Sequence, residues 1–370
     1  MREASYRAAP VGREELLARL EHVLHARGRA LLTGPAGVGK TEVALAAAAR
    51  AESRGETVIW LATLPSDRDI PGASAAALIA SVARPDVLDR LPGPQRDAVA
   101  VLCRQAPAPE DGRDLIALRL GLAQILREPA LAGPVLLVLD GVERIDPDSA
   151  DLLRFALHLA PPALRVVAVE TPACHAPQAP QLWVPSEADV LLVPPLHADE
   201  IAELLIHHRL PSRMAGRIHK ASGGNPRLAL AVGRSLADAR TPVHHAEALT
   251  LSGRARDLAR QLLGAAPAQV RETLLLAALA LRPSAALIRR AGRPTAEADL
   301  IAAERADLVA LGGDGTVAFT AGVLPATLVH DACWAERSAG HAALAGVVDD
   351  PVEAVRHRAL ATDVPDAALA

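Results

Sequence analysis

Aromatic side chains are scarce: Phe, Trp and Tyr make up 2% of the chain. With so few, and with a composition dominated by alanine and leucine, a helix-rich protein is favoured over a β-sandwich. Cysteine is also scarce. Cys103, Cys174 and Cys333 are scattered without metal-ligand spacing, and three thiols cannot build an even disulfide framework. Long apolar runs are missing; stretches such as Val135 to Leu139 and Thr273 to Leu281 are too short to cross a bilayer. The first residues, Met1 to Tyr6, carry no apolar signal segment. The formal net charge is −4 with acids and bases interspersed, so no broad basic surface for nucleic acid is expected. A soluble, cytoplasmic chain without membrane contact is the simplest expectation. Lysine is confined to Lys40 and Lys220, every other basic chain being arginine apart from histidine.

One of those two lysines stands where a motif requires it. Gly34-Pro35-Ala36-Gly37-Val38-Gly39-Lys40-Thr41 reads G-x-x-x-x-G-K-T, a phosphate-binding loop. A short apolar stretch, Arg29 to Thr33, precedes it as a strand, and a strong helix former, Glu42 to Ala49, follows. Glycines let backbone N–H groups approach phosphates, and the helix start adds a positive dipole end. Lys40 is expected to reach the β- and γ-phosphates, and the Thr41 hydroxyl to ligate Mg²⁺. The plainer reading is a glycine-rich turn before a helix.

At 370 residues, 51% hydrophobic and with mean hydropathy +0.20, the chain has material for two or three domains. Val11-Gly12-Arg13-Glu14 opens a helix with Leu16, Leu17, Leu20, Val23 and Leu24 at helical spacing. Val11, Gly12 and Arg13 either supply backbone contacts to an adenine ring or simply start that helix. Strands are expected at Thr57 to Ala62, Pro134 to Asp140, Leu164 to Glu170 and Val190 to Val193. Between the first two, loops surround a short helix (Ala73 to Val82), with flexible stretches near Pro92-Gly93-Pro94 and Pro107-Ala108-Pro109, before a helix over Arg113 to Glu128. Five strands alternating with helices describe an α/β domain with a mostly parallel sheet.

The uninterrupted apolar strand ending in Asp140 presents a carboxylate in the manner of P-loop enzymes, making Asp140 the candidate acid on the Mg²⁺ side. Glu143 and Asp146 follow; either could be a plain exposed acid. Beyond Pro195 the pattern is helical: His197 to Leu210, Ser212 to Ser222, Arg227 to Ala237, Arg254 to Leu263, Pro267 to Leu281, Ser284 to Ala291 and Ala296 to Leu311. Gly312 to Gly315 is a turn before a short strand, Thr316 to Phe319, suggesting the wing of a winged helix. Two helices follow it, and the chain ends at Ala370 as though a longer protein had been cut. His207-His208, His244-His245 and Cys174-His175 lack the companions that a metal site or a Cys–His nucleophile requires, and Arg289, Arg290 and Arg293 read as a solvated helix end.

The order of Val11 to Glu14, Gly34 to Thr41, Val135 to Asp140, Leu192 to Leu196 with Glu200, and Ser222-Gly223-Gly224-Asn225-Pro226 resembles the ATPase module of the large ATP-binding regulators of the LuxR type. These are STAND ATPases within the AAA+ class. The resemblance runs from about residue 8 to 365. It implies a P-loop domain over 1–195, a helical lid over 196–245, a winged-helix-like domain over 246–346 and the start of a helical-repeat region over 347–370, with His357 inside its first helix. It also implies binding of ATP or ADP with Mg²⁺, self-association, and an unknown inducer or protein partner. DNA would be bound only through a C-terminal helix-turn-helix outside this chain. In the related fold the proline of a G-x-P segment packs near adenine, which makes Pro226 the candidate here.

Three departures bear on catalysis. Gly141 stands where the family usually has a second acid, the general base; Glu143 is the nearby substitute. Glu170-Thr171-Pro172 stands where many relatives place a γ-phosphate-sensing arginine. Phe319 is followed by Thr320-Ala321-Gly322 in place of a His-Pro pair. The leading expectation is therefore a nucleotide-controlled switch with slow hydrolysis. An active AAA+ ATPase remodelling a partner is the alternative, and a vestigial structural module or a DNA-binding chain the more remote ones.

Overall fold

The computed structural model describes residues 10–82, 85–107, 114–172, 181–238 and 253–362. Cys174-His175, His244-His245, Ala108-Pro109 and the chain end at Ala370 lie outside the described residues. Two compact units are present. One takes the chain up to Gly34, Gly39–Thr171 and the segment ending at Pro194; the other takes Pro35–Val38 and the chain from Pro195 onward.

In the first unit, α1 (Glu14–Arg27) starts with Glu14 and Glu15, favourable at the positive helix end. It stops where Gly28 turns left-handed and donates to the Leu24 carbonyl. There follow β1 (Arg29–Thr33), α2 (Lys40–Ser53), β2 (Thr57–Ala62), α3 (Ala73–Val82), α4 (Pro85–Asp89), α5 (Gly93–Leu102), α6 (Leu115–Ala132), β3 (Val135–Asp140), α7 (Pro147–His158), β4 (Leu164–Glu170) and β5 (Val190–Leu192). The strands form one parallel sheet in the order β2-β3-β4-β1-β5. Alternate residues of β3 face opposite sides. Val135, Leu137 and Leu139 join a core with α3, α5, α6 and α7, while Leu136 and Val138, equally buried, point to the side that α2 covers. Burial on both faces explains the unbroken apolar run.

The segment expected to be flexible at Pro92-Gly93-Pro94 begins α5 instead. Proline fits the first turn of a helix because its missing N–H has no partner to lose there. The expected helix over Arg113 to Glu128 starts at Leu115, capped by Asp114, and runs on through Pro129 to Ala132.

The second unit continues with α8 (Ala198–His207), α9 (Ala215–Ser222), α10 (Pro226–Asp238), α11 (Gly253–Gly264), α12 (Ala268–Leu279), α13 (Ala285–Arg290), α14 (Ala296–Arg305), β6 (Val309–Leu311), β7 (Val317–Phe319), α15 (Val323–Asp331), α16 (Trp334–Ala345) and α17 (Pro351–Ala361). One apolar core runs through it, from Leu196 to Leu344. The helix expected over Ala296 to Leu311 ends at Arg305. Asp307 adopts φ +57, its N–H bonds the Glu304 carbonyl, and the Leu308 N–H bonds that of Ala303. This is a Schellman end, with aspartate in the left-handed position that glycine usually takes. The released residues form β6, which pairs antiparallel with β7.

Two buried polar clusters organise the packing. Asp146 caps α7 and is fully buried, accepting from the backbone N–H groups of Gly72, Ser74 and Ser149. The reading of an exposed acid at this position is thus corrected. Burial raises its pKa, but the bonds from Ser149, Gly72 and Ser74 outweigh it and hold the carboxyl below the ordinary value. In the second unit, His341 and His357 face each other with Nδ1 atoms 2.8 Å apart, His357 fully buried and its Nε2 3.4 Å from Glu353.

Asp146→Ala leaves three buried donors unpaired and should cost about 2–4 kcal/mol in a denaturant titration. The histidine pair adds a pH dependence. Burial, then the neighbouring His357, Arg356 and Arg337, lower the His341 pKa below its usual 6.5. Unfolding therefore takes up a proton between the folded and unfolded values. The stabilisation is complete above about pH 6.5 and is lost as pH falls through the lower, folded value. Thermal scans from pH 7.5 to 5 should show this decline, with a shallower slope for His357→Gln.

Candidate functional site

A parallel sheet buried on both faces leaves polar groups only at the strand ends, and ligands bind outside the carboxyl ends. Here β1 runs into the loop Gly34 to Gly39, and α2 begins at Lys40. Lys40 is buried, and its Nζ donates to the Gly34 carbonyl at 2.7 Å. Desolvation lowers its pKa to about 8, against the fields of Glu143, Asp140 and Glu170, which raise it. Next along α2, the Thr41 hydroxyl lies 3.1 and 3.3 Å from the two carboxylate oxygens of Asp140, at the end of β3. The structure thus brings Gly34, Lys40, Thr41 and Asp140 together.

Glu143 joins the same group. Its carboxylate accepts from the Thr171 N–H at 3.2 Å and lies 3.5 Å from Arg144 Nε. With its side chain only 12% exposed, it is not a plain surface acid. Glu170, at the end of β4, completes the cluster; burial first, then Glu143, raise its pKa, against Lys40. Gly141 has φ +86, and a Cβ there would lie 2.7 Å from Thr63 Oγ1. Thr63 in turn donates to the carbonyls of Asp140 and Gly141. A side chain after Asp140 would therefore be strained by the left-handed backbone and would have to displace the Thr63 hydroxyl from these bonds, which favours glycine there.

In the second unit, Val38 N–H bonds the Pro35 carbonyl at 3.4 Å within the loop. Asn225 Nδ2 donates to the Ala36 carbonyl at 2.8 Å. Pro226 is half-buried at the first position of α10, and it is its neighbour Asn225 that touches the loop. Val11 and Gly12 form a turn closed by the Arg13 N–H on the Pro10 carbonyl, and the buried Arg13 stands at the N-cap of α1. Those backbone bonds are local and serve the helix start.

Sequence reasoning placed no role on Thr63, Glu170 or Asn225. Glu170 carried a signal, being the polar end of an apolar strand in the same pattern as Asp140; Thr63, just beyond β2, carried a weaker one.

The donor set suits a nucleoside phosphate with its cation. An ammonium and a helix start answer phosphate charge, and a carboxylate beside a hydroxyl offers the hard oxygen ligands that Mg²⁺ takes alongside phosphate and water. Among the described residues, no group of three or more His, Cys, Asp or Glu side chains is arranged for a metal, and no helix is long and apolar enough to cross a membrane.

Residues 9–169 match the AAA ATPase domain family. No curated protein sequence matches the chain. Among solved structures, the Walker-type ATPase PABY2304 of Pyrococcus abyssi is 16% identical, over 86% of this chain and 96% of that one, with a TM-score of 0.58. The Aeropyrum pernix ORC2 protein, solved as ADPNP–ADP complexes, is 16% identical over 88% and 96%, with a TM-score of 0.48. A STAND protein with a tetratricopeptide-repeat sensor from Pyrococcus horikoshii is 12% identical over 94% of this chain and 47% of its own, with a TM-score of 0.35. The first shares the fold; the scores of the other two carry nothing further. The AAA family implies nucleotide binding, typically with Mg²⁺. On the family match and the geometry of its glycine loop, the chain carries an AAA-type ATPase domain over residues 9–169.

Proposed function

We propose that the chain is the nucleotide-controlled switch module of a STAND-class bacterial transcriptional regulator of the LuxR type, binding ADP or ATP tightly and hydrolysing slowly. The observation that carries this reading is the contrast at the end of β3. The binding groups Lys40, Thr41 and Asp140 converge, while the position next to Asp140 is a glycine with φ +86 where a second acid would have to displace the Thr63 hydroxyl. Lys40 holds phosphate charge, and Thr41 with Asp140 holds the cation; Val11, Gly12 and Arg13 are the residues proposed to line the base, and Pro226 is the candidate proline for packing near adenine. Bound Mg²⁺–ATP supplies a γ-phosphoryl group transferable to water. Glu143 is the acid available to orient that water, but its carboxylate is already engaged by Thr171 and Arg144. A base must reach the proton it takes, so turnover is slow.

Helices α8 to α10 serve as the lid. The segment from α11 to α16, with the hairpin β6–β7, serves as a winged-helix-like spacer, and α17, packed on α16, opens a helical repeat. Inducer binding, self-association and DNA contact through a further domain belong to the same reading. A second reading, an ATPase that remodels a protein partner, is favoured only by the closeness of Glu143 to Lys40.

Denaturing the purified chain should release ADP, and turnover with Mg²⁺ and ATP should be slower than about 0.01 per second and absent in Lys40→Ala. Turnover near 1 per second or faster, lost in Glu143→Gln, would replace the switch with the remodelling enzyme. The Lys40 shift adds a pH profile. Phosphate favours the charged amine, which the free protein loses near pH 8. ADP affinity should be flat below that value and fall above it by up to about tenfold per pH unit, as measured by titration from pH 7 to 9.5.

A further inference from the structure

The turn Ser222 to Asn225 meets the glycine loop through one side chain. Asn225 Oδ1 accepts from the Arg227 and Leu228 N–H groups at 3.1 and 3.2 Å, capping α10. That commits the other end of the amide, so Nδ2 faces the loop and donates to the Ala36 carbonyl at 2.8 Å. A weaker bond runs from the Arg227 N–H to the Gly37 carbonyl at 3.4 Å. Gly37 is shaped to this contact: it has φ +84, and a Cβ on it would lie 2.9 Å from Asn225 Oδ1 and 3.1 Å from Arg227 Cβ. The turn has no slack of its own. A Cβ on Gly224 would lie 2.4 Å from the Leu196 carbonyl oxygen, and one on Gly223 would run into the Thr320 carbonyl. The Leu196 N–H also bonds the Gly224 carbonyl at 2.8 Å.

We propose that Asn225 is a positioning residue for the glycine loop, and that its bond to Ala36 couples the loop's ligand to helix α10. In a trans peptide the C=O and the following N–H point in opposite directions. Fixing the Ala36 carbonyl on Asn225 therefore fixes the Gly37 N–H on the opposite side, as one of the backbone donors with which such a loop receives phosphate. The loop is held ready by α10, and by linkage a phosphate that uses this orientation holds α10 in return. The ligand class, a nucleoside diphosphate, rests on the reading under Proposed function; the bond between turn and loop does not.

Asn225→Ser keeps a cap acceptor for α10 but cannot reach Ala36, and Asn225→Asp keeps the full cap with no donor for the loop. Both should keep the wild-type thermal midpoint closely enough to be compared folded. In hydrogen exchange without ligand, the amides of 36–38 should exchange about three- to tenfold faster in either variant. ADP should slow exchange in the first turn of α10 in the wild type and fail to do so in Asn225→Ser, whose ADP affinity should fall by about three- to tenfold. Wild-type exchange at 36–38 in both variants would overturn the positioning role. Unchanged ADP affinity and unchanged protection of α10 in Asn225→Ser would overturn the coupling. A wild-type chain that binds no ADP would defeat the functional reading alone, since the ligand-free exchange still decides whether Asn225 positions the loop.

Discussion

The site depends on the burial of β3 and its neighbours on both faces. A strand whose five residues from Val135 to Leu139 are all buried can carry a charge only at its end. Asp140 stands there, and Glu170 stands at the equivalent end of β4. Because the strands are parallel and in register, these ends share one edge, Asp140 level with Val169 and Thr33 level with Glu170. The glycine loop leaves β1 at that same edge. The convergence of Lys40, Thr41, Asp140, Glu143 and Glu170 is thus a consequence of how the sheet buries its apolar strands.

Convergence sets the electrostatics. Lys40 loses hydration and keeps its charge less firmly than a surface lysine, even with three carboxylates in its field. Glu170 shows the opposite side of the same balance, since burial and Glu143 both disfavour its ionisation. A polyanionic ligand would restore the charge on Lys40 and oppose the carboxylates, so a cation that screens them belongs with it. Gly141 adds a steric limit to the electrostatic one, because Thr63 occupies the space that a side chain would need.

Much of this was legible in the sequence, for identifiable reasons. Gly34 to Thr41 is a local motif whose geometry needs only its own residues and the flanking strand and helix. The five strands of the sheet announce themselves as apolar runs. What escaped depended on contacts distant in sequence. Asp146 resembles any acid before a helix until Gly72 and Ser74 are seen to donate to it. The bond of Asn225 to Ala36 spans 189 residues, and no spacing rule reports it. The strand β6 was hidden because its residues continue a helical pattern; only the left-handed Asp307 ends that helix. The helix α5 was hidden by two prolines that read as breakers and in fact precede or open its first turn.

The claim at the centre is that the loop from Gly34 to Thr41 binds a nucleoside phosphate through Lys40. Calorimetric titration of ADP with Mg²⁺ into the wild-type chain, with Lys40→Ala beside it, tests this most directly. The account predicts saturable binding at a single site in the wild type, weakened when Mg²⁺ is withheld and lost in the variant. No heat of binding in the wild type, or equal binding by Lys40→Ala, would contradict it.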